Sequence, residues 1–593
     1  MNIELQRARR RQMIVFVLVC TGMLLLLGRL YYWQILSGPR LARLATDEHT
    51  HNLPLKAARG LIFDAQGHLL ATNVLRDDVY TQPRQFRIDF EHDENAHGKW
   101  VAMVHTLHQV LPYISEDNLI NAYDSDAWTL RVNRQPIEPE QSQQLQALSA
   151  HLPDVFLQAN PVRSYPGGDL AAQVLGYVDT TATGQYGIEG KYNTKLAGKD
   201  GSITAETDLN GNPLTVGASS GQAPVPGANI SLTVDSTMQY IVQTALVETI
   251  KKLQAQSGSV VVLNARTGAV VAMAGAPSFD PNHYADAASQ RGCINTVSVY
   301  FNPTLFCTYE PGSTMKVVTM AAGLDQGLIT PNTALVDNGT IYFHDADPVS
   351  NWQYKKYGTE TMTEVLEHSA NVGTAYVAHD ILGPSRYYPY VQRFGFGQKY
   401  NIGGPEAVGT YMTDKSNPKL WSVTDLTRQA FGQSISTSPF QMAMVYQAIA
   451  NGGVMMQPYL VQSINENGHI TTTHTQVRQR VVSANTAKLL AGMLVSAADF
   501  NKQATFPGYS VAVKTGTATT QGLDADQTEA SMAGFLPASN PQYVILVKID
   551  RPSSTIAGGT AIFGGTADAP LWKSIAEQLM WHYNVPSDMP VGA

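Results

Sequence analysis

The stretch YEPGSTMKVVTM, Tyr309 to Met320, decides how the rest of the chain reads. Pro311 and Gly312 make a turn into a helix, and Ser313 is a favourable residue at a helix N-terminus. Lys316 comes one turn later on the same face, where its amine can reach the serine hydroxyl. Val317, Val318, Met320, Ala321 and Ala322 are apolar, so the helix is expected to be buried. Desolvation would push the lysine towards its neutral, proton-accepting form, and a neutral lysine can activate a serine. Backbone N–H groups at the helix start would favour an oxyanion on an attacked carbonyl.

Spacing alone is weak, because a long chain holds roughly one or two S-x-x-K matches by chance. A second match is present at Ser416-Asn417-Pro418-Lys419, where Pro418 disfavours a continuous helix and no apolar run surrounds the pair. The first pair gains weight from two later motifs in the chain: Ser369-Ala370-Asn371 in LEHSANVGTAYVA, then Lys514-Thr515-Gly516-Thr517 in VAVKTGTAT. Serine, lysine and asparagine at these sites can relay a proton and hold a substrate amide, and a strand carrying KTG can pair with an extended peptide. Gly516 would let a ligand approach the strand closely, while Thr515 and Thr517 offer hydroxyls to a carboxylate.

The chain of 593 residues is too long for one ordinary core, so two or three globular regions are expected. A formal net charge of -8 argues against nucleic acid as a partner, since phosphate binding usually needs a basic surface. At the N-terminus, Arg7, Arg9, Arg10 and Arg11 precede the apolar rod MIVFVLVCTGMLLLLG, which Leu30, Tyr31, Tyr32 and Trp33 extend. One transmembrane helix fits, with no small-x-small cleavage site after it. The arginines would hold the N-terminus in the cytoplasm and place everything beyond about residue 37 outside the membrane. Neither CxxC nor HExxH occurs, so no metal site is expected, and the 15 histidines, His105 and His108 included, read as ordinary residues. Cys293 and Cys307 can form a disulfide in an oxidising compartment or remain free thiols.

The chain divides into three regions: 1–36 as cytoplasmic tail and anchor, 37–225 as a non-catalytic pedestal, and 226–593 as the catalytic domain. In the pedestal RGLIFDAQGHLLATN reads as a hairpin, Trp100 to Leu152 as helical, GQYGIEGKYNTKLAGKDGS as a helix ending at Gly198, and ETDLNGNPL as another hairpin turn. The Gly/Pro-rich SSGQAPVPGAN marks the boundary. Beyond it a helix over Ser236 to Leu253 is expected, then two strands joined at ARTG, helices near 314–324, 363–379 and 439–451, strands in YSVAVKTGTAT and QYVILVKID, and a terminal helix in APLWKSIAEQLMWHY. Strands at both ends with helices between predict an α/β sandwich, one antiparallel sheet with helices packed on it.

Through STMK, SAN and KTG the sequence resembles the class B penicillin-binding proteins, the monofunctional peptidoglycan transpeptidases. The resemblance extends to RGLIFDAQGHLLATN, GQYGIEGKYNTKLAGKDG, LTVDSTMQ, FGQSISTSPFQMAMVYQAIANGG and FGGTADAPLWKSIAEQ, and so covers nearly the whole chain. It implies an α+β serine-transpeptidase/β-lactamase-like domain behind an elongated mixed α/β pedestal of the dimerisation-domain kind. Ser313 would then attack the penultimate D-alanine carbonyl of a peptidoglycan stem pentapeptide, release the terminal D-alanine and pass the acyl group to a second stem's amine. Lys316 would be the base, Ser369 and Lys514 the proton relay, Asn371 the amide-binding group, and the N–H groups of Ser313 and Thr517 the oxyanion hole. Penicillin and other β-lactams, which mimic D-Ala-D-Ala, would acylate Ser313. No cofactor is implied, and a membrane-embedded glycosyltransferase with other cell-wall synthesis proteins is the implied partner. The YEPGST segment, and a chain expected to end after its terminal helix, resemble division-type members, with sporulation-type relatives the other possibility. Ser434 stands where relatives often carry glycine. The alternatives are a D,D-carboxypeptidase, a β-lactamase-type hydrolase, and a membrane-tethered scaffold with vestigial catalytic groups.

Overall fold

The computed structural model describes residues 3–41, 50–133, 135–206, 219–293, 297–416, 418–502, 504–518, 528–553 and 564–590. The chain opens with helix α1, Ile3–Tyr31, continued by a π-helical turn to Leu36. Within Gln6–Leu36 an 18-residue window has a mean hydropathy of 2.4 and is unburied, so this helix is long and apolar enough to cross a membrane.

Chain contacts divide the chain into two compact units. The first comprises Met1–Ala58, Arg76–Asn160 and Lys199–Val225. Its core gathers Phe86, Trp100, Met103, Leu107 and Leu145, with the Trp100 indole donating to the Leu119 carbonyl at 2.8 Å. The helix expected over Trp100 to Leu152 is instead three helices, Ala96–Val110, Glu116–Asn121 and Pro139–Ala147. Pro112 explains the first break: it pushes Leu111 to φ −122 and ψ 73, outside the helical region. Ser115 then caps the second helix by accepting from the Asn118 N–H, and Pro139 opens the third. The hairpin expected in ETDLNGNPL lies, beyond Glu206, outside the described residues.

The second unit comprises Arg59–Leu75 and Pro161–Gly198 as well as Pro226–Ala593. The reason is pairing. Ile62 and Phe63 pair in parallel with Ile230 and Ser231, the Leu61 N–H donates to Asn229 Oδ1 at 2.8 Å, and Leu175, Ile188 and Leu196 share one core with Ile230 and Leu232. The expected hairpin forms, with Ile62 opposite Ala71 and Phe63 opposite Leu69. Its turn is held by Asp64, which accepts from the Gln66 and His68 N–H groups. Beneath it Glu189 is fully buried between two arginines, accepting from Arg59 Nε at 2.7 Å and from Arg163 Nε at 2.6 Å.

The centre of the second unit is a five-stranded antiparallel sheet of β1 Ser257–Asn264, β2 Val270–Ala276, β3 Ala512–Ala518, β4 Glu529–Leu536 and β5 Tyr543–Asp550, in the order β2-β1-β5-β4-β3. Because strand side chains alternate between faces, the apolar run of β1 supplies both: Val260 and Val262 join one core, Val261 and Leu263 the other. On the first face pack α2 Ser236–Leu253 and, from the far end of the chain, Trp572, Ile575 and Leu579 of a helix spanning Gly564–His582. The second face carries α3 Lys316–Asp325, α4 Asn371–Tyr376, α5 Pro439–Ala450 and α6 Ala484–Asn501. Sequence expectations for α2, α5 and the β1–β2 turn match these elements closely, and β1 to β5 form the predicted antiparallel sandwich sheet.

Replacing Glu189 by alanine leaves two buried guanidinium groups uncompensated and is expected to cost about 3–5 kcal/mol. Urea denaturation of the detergent-solubilised protein measures this, and an unchanged midpoint would show that the arginines find other partners.

Candidate active site

Three segments far apart in sequence meet at one end of the β3 strand. The first is the turn before α3. Gly312–Met315 forms one turn of 3-10 helix, and Lys316 begins the α-helix. Ser313 therefore sits inside a tight turn and does not cap the helix with its side chain, unlike the sequence expectation. Thr314 instead closes the turn by donating its hydroxyl to the Pro311 carbonyl at 2.7 Å. Ser313 is part-exposed, and the residues around it from Thr314 to Leu324 are buried.

The turn lies directly against β3, and glycines make this possible. Gly312 has φ +55, and a Cβ there would stand 2.7 Å from the Thr517 carbonyl oxygen and 3.1 Å from the Thr517 nitrogen. A Cβ on Gly516 would stand 2.6 Å from both the Pro311 oxygen and Ser531 Oγ. The missing side chain of Gly516 thus admits the protein's own backbone. Thr515 and Thr517 alternate with buried Lys514 and Gly516 and are part-exposed. The strand is the last in its sheet, so among the described residues its outer edge has no strand partner, the arrangement an extended peptide can extend.

The second segment is SAN. The helix expected over 363–379 is broken into Met362–Glu367 and α4, and the break is at the motif itself. Ser369 adopts φ +56, a left-handed conformation that costs a non-glycine residue about 1–2 kcal/mol. That bend turns both the Ser369 carbonyl and the Asn371 side chain towards Lys316: Lys316 Nζ donates to Ser369 O and to Asn371 Oδ1, the latter at 2.8 Å, and lies 3.5 Å from Ser369 Oγ. Lys514 Nζ reaches the same hydroxyl from the third segment at 2.9 Å, and also donates to the Thr515 carbonyl at 3.1 Å. Lys316, Ser369, Asn371 and Lys514 are thereby in direct contact, with Ser313 one turn before Lys316 and Thr517 beside that turn.

Burial governs the charge of both lysines. Lys316 is fully buried and held well below the ordinary lysine value, first by desolvation and then by the neighbouring Lys514 charge, with Glu360 opposing. Lys514 is brought down by burial to about 7. Their hydrogen-bond acceptors are carbonyls, an amide and a hydroxyl, none of which favours the ammonium as a carboxylate would.

A polar layer behind SAN escaped the sequence analysis. Asn371 Nδ2 donates to the Ser350 carbonyl at 3.2 Å, and the Val372 N–H donates to Asn351 Oδ1 at 3.0 Å. Asn351 donates in turn to Asp337 Oδ2 at 2.6 Å. Burial, and next the Asp337 contact, push the Glu360 carboxyl up to about 8, and His368 lies 3.0 Å from its Oε2. None of these residues belongs to a recognisable spacing, and only tertiary contact reveals them. The second S-x-x-K match is set apart: Ser416 exchanges hydrogen bonds with Thr413 in a local turn. Ser434 has φ +54, which accounts for a glycine preference at that position, and its N–H donates to Glu310 Oε1 at 3.0 Å. Cys293 and Cys307 form a disulfide.

The chain is similar to known proteins over most of its length. Residues 258–577 match the family model of the penicillin binding protein transpeptidase domain, and residues 54–232 that of the penicillin-binding protein dimerisation domain. The chain is 30% identical over 590 residues to stage V sporulation protein D of Bacillus subtilis, covering 97% of this chain and 86% of that one. It is 28% identical over 608 residues to a peptidoglycan D,D-transpeptidase FtsI homolog of Mesostigma viride, covering 98% of this chain and 97% of that one. Among solved structures it is similar to penicillin binding protein 3 of Mycobacterium tuberculosis complexed with aztreonam, with a TM-score of 0.66 and 27% identity over 91% of this chain and 99% of that one.

A Gly516→Ala substitution is expected to force β3 off the Pro311 turn and lower the rate of acylation by a fluorescent penicillin about 100-fold. Gel quantification of labelling over time measures it, and a wild-type rate would show that the close approach is dispensable.

Proposed function

Since the chain belongs to the penicillin-binding protein transpeptidase family, we propose that Ser313 is its nucleophile and that Lys316, Ser369, Asn371 and Lys514 serve that serine as base, proton relay and amide-binding group. The protein is a class B, division-type, serine-type peptidoglycan D,D-transpeptidase that cross-links the septal wall and is a target of β-lactams. The observation that carries the residue assignment is the convergence of Lys316 and Lys514 on Ser369 beside Asn371.

In the acylation step the neutral Lys316 amine takes the Ser313 hydroxyl proton as Oγ forms its bond to the penultimate D-alanine carbonyl. Negative charge develops on the carbonyl oxygen, and the N–H groups of Ser313 and Thr517, held side by side by the close approach of Gly312 to β3, receive it. The bond to the terminal D-alanine nitrogen then breaks, and that nitrogen gains its proton through Ser369 Oγ, which Lys514 resupplies. The amine of a second stem peptide attacks the acyl-enzyme, the same relay runs in reverse, and Ser313 is released. Asn371 binds the stem-peptide amide, the free edge of β3 pairs with the extended stem, and the Thr515 and Thr517 hydroxyls bind its carboxylate.

The N-terminal helix anchors the chain with its arginines in the cytoplasm and the catalytic unit outside. Residues 37–225 act as the pedestal and 226–593 as the transpeptidase region, with a membrane-embedded glycosyltransferase supplying the glycan strands.

Ser313→Ala is expected to abolish the covalent band formed with fluorescent penicillin in membranes, and a surviving band would place the nucleophile elsewhere. Incubation of a donor stem peptide with an amine acceptor, followed by mass spectrometry, should show cross-linked product, whereas free tetrapeptide alone would mark a carboxypeptidase.

The pH dependence tests the relay. Lys514 loses its proton as pH rises through about 7, so acylation should fall above that pH as the proton donor empties. Lys514→Arg keeps its charge throughout this range and is expected to lower the rate while removing the alkaline limb. The same limb in the variant would assign it to another group.

A further inference from the structure

A cluster outside the catalytic cleft joins two elements that flank it. The loop between the short strands Thr340–Ile341 and Val349–Ser350 carries His344 and Asp345, and the π-helical turn Val377–Leu382, which continues α4, carries His379 and Asp380. We propose that His344, Asp345 and His379 form a binding site for one divalent transition-metal ion, Zn2+ foremost, with Asp380 orienting His379.

The geometry is that of a ligand set. One donor atom from each of His344, Asp345 and His379 lies within 4.8 Å of the others. His379 Nε2 is 2.8 Å from Asp345 Oδ1, and His344 Nδ1 is 3.5 Å from the same oxygen. On its other side His379 Nδ1 is 2.6 Å from Asp380 Oδ1, and the Phe343 ring packs on the imidazole with centroids 4.3 Å apart. A carboxylate that accepts the Nδ1 proton fixes the tautomer that presents Nε2 as a lone pair, as behind metal-bound histidines generally. Two imidazoles and one carboxylate suit a borderline ion in a tetrahedral site with water as the fourth ligand, and suit Ca2+ or Mg2+ poorly because those ions prefer all-oxygen shells.

The bound ion would tie the loop to the end of the helix whose first residue is Asn371, while Ser350, at the far end of the same loop, already accepts from the Asn371 side chain. Metal occupancy would therefore brace the SAN wall of the cleft. The site has no sequence signature, since its histidines come from a loop and a helix without conventional ligand spacing.

The full-length protein in detergent, stripped with a chelator, is titrated with Co2+ and then Zn2+, with visible absorption and calorimetry as readouts. One Co2+ per chain with a tetrahedral spectrum and displacement by Zn2+ are expected. His344 is 86% exposed, so His344→Ala should fold and label with penicillin normally while losing the tetrahedral spectrum. Asp380→Asn should weaken the affinity about 10–100-fold with unchanged stoichiometry. No saturable binding by the unaltered protein, or wild-type binding by His344→Ala, would overturn the proposal and leave the cluster an ion-pair network.

Discussion

The site rests on burying two lysine amines around one serine hydroxyl without giving either a carboxylate. Lys316 and Lys514 donate only to carbonyls, an amide oxygen and Ser369 Oγ, so the interior offers nothing that repays the loss of water around a charge. A third buried lysine shows that burial alone does not decide the outcome. Lys548 on β5 is as deeply enclosed, and desolvation would lower its value, yet pairing with Asp550 and the Glu529 charge raise it, and it remains an ammonium beneath the Tyr309 ring. Two strands apart in one sheet, Lys548 is held as a cation while Lys514 is brought down to about 7. The partner makes the difference.

That electrostatic arrangement requires backbones to approach more closely than side chains ordinarily allow. Gly312 meets Thr517 and Gly516 meets Pro311, and a Cβ on Gly432 would stand 2.1 Å from the Gly312 oxygen. These contacts press the turn that holds Ser313 between β3 and the segment before α5, so Ser313 is carried on a rigid scaffold. Ser369 makes the complementary concession by accepting a left-handed backbone, which breaks a helix to direct its carbonyl and hydroxyl at the lysines.

Where sequence expectations failed, they failed at such places. A helix over 363–379 is a sound inference from periodicity, and the tertiary requirement to turn Ser369 inwards overrides it. The expected cap at Ser313 became a 3-10 turn for the same reason. In the other unit the long helix over Trp100 to Leu152 overlooked Pro112, a local signal that was present in the sequence. Nothing local near 225 announces that the strand Ile62–Phe63 pairs with Ile230 and Ser231.

From the residues alone came the apolar N-terminal helix, the two-faced apolar strands of the central sheet, and the three ordered motifs, since each depends on chemistry within a few neighbouring positions. The long-range packing added what no window of sequence contains: that Lys316 and Lys514 converge on one hydroxyl, that Asn351, Asp337 and Glu360 stand behind SAN, and that His344 and Asp345 face His379. Those facts follow from which buried surfaces fit together, and the dry interior created by that fit is what shifts the protonation of the groups inside it.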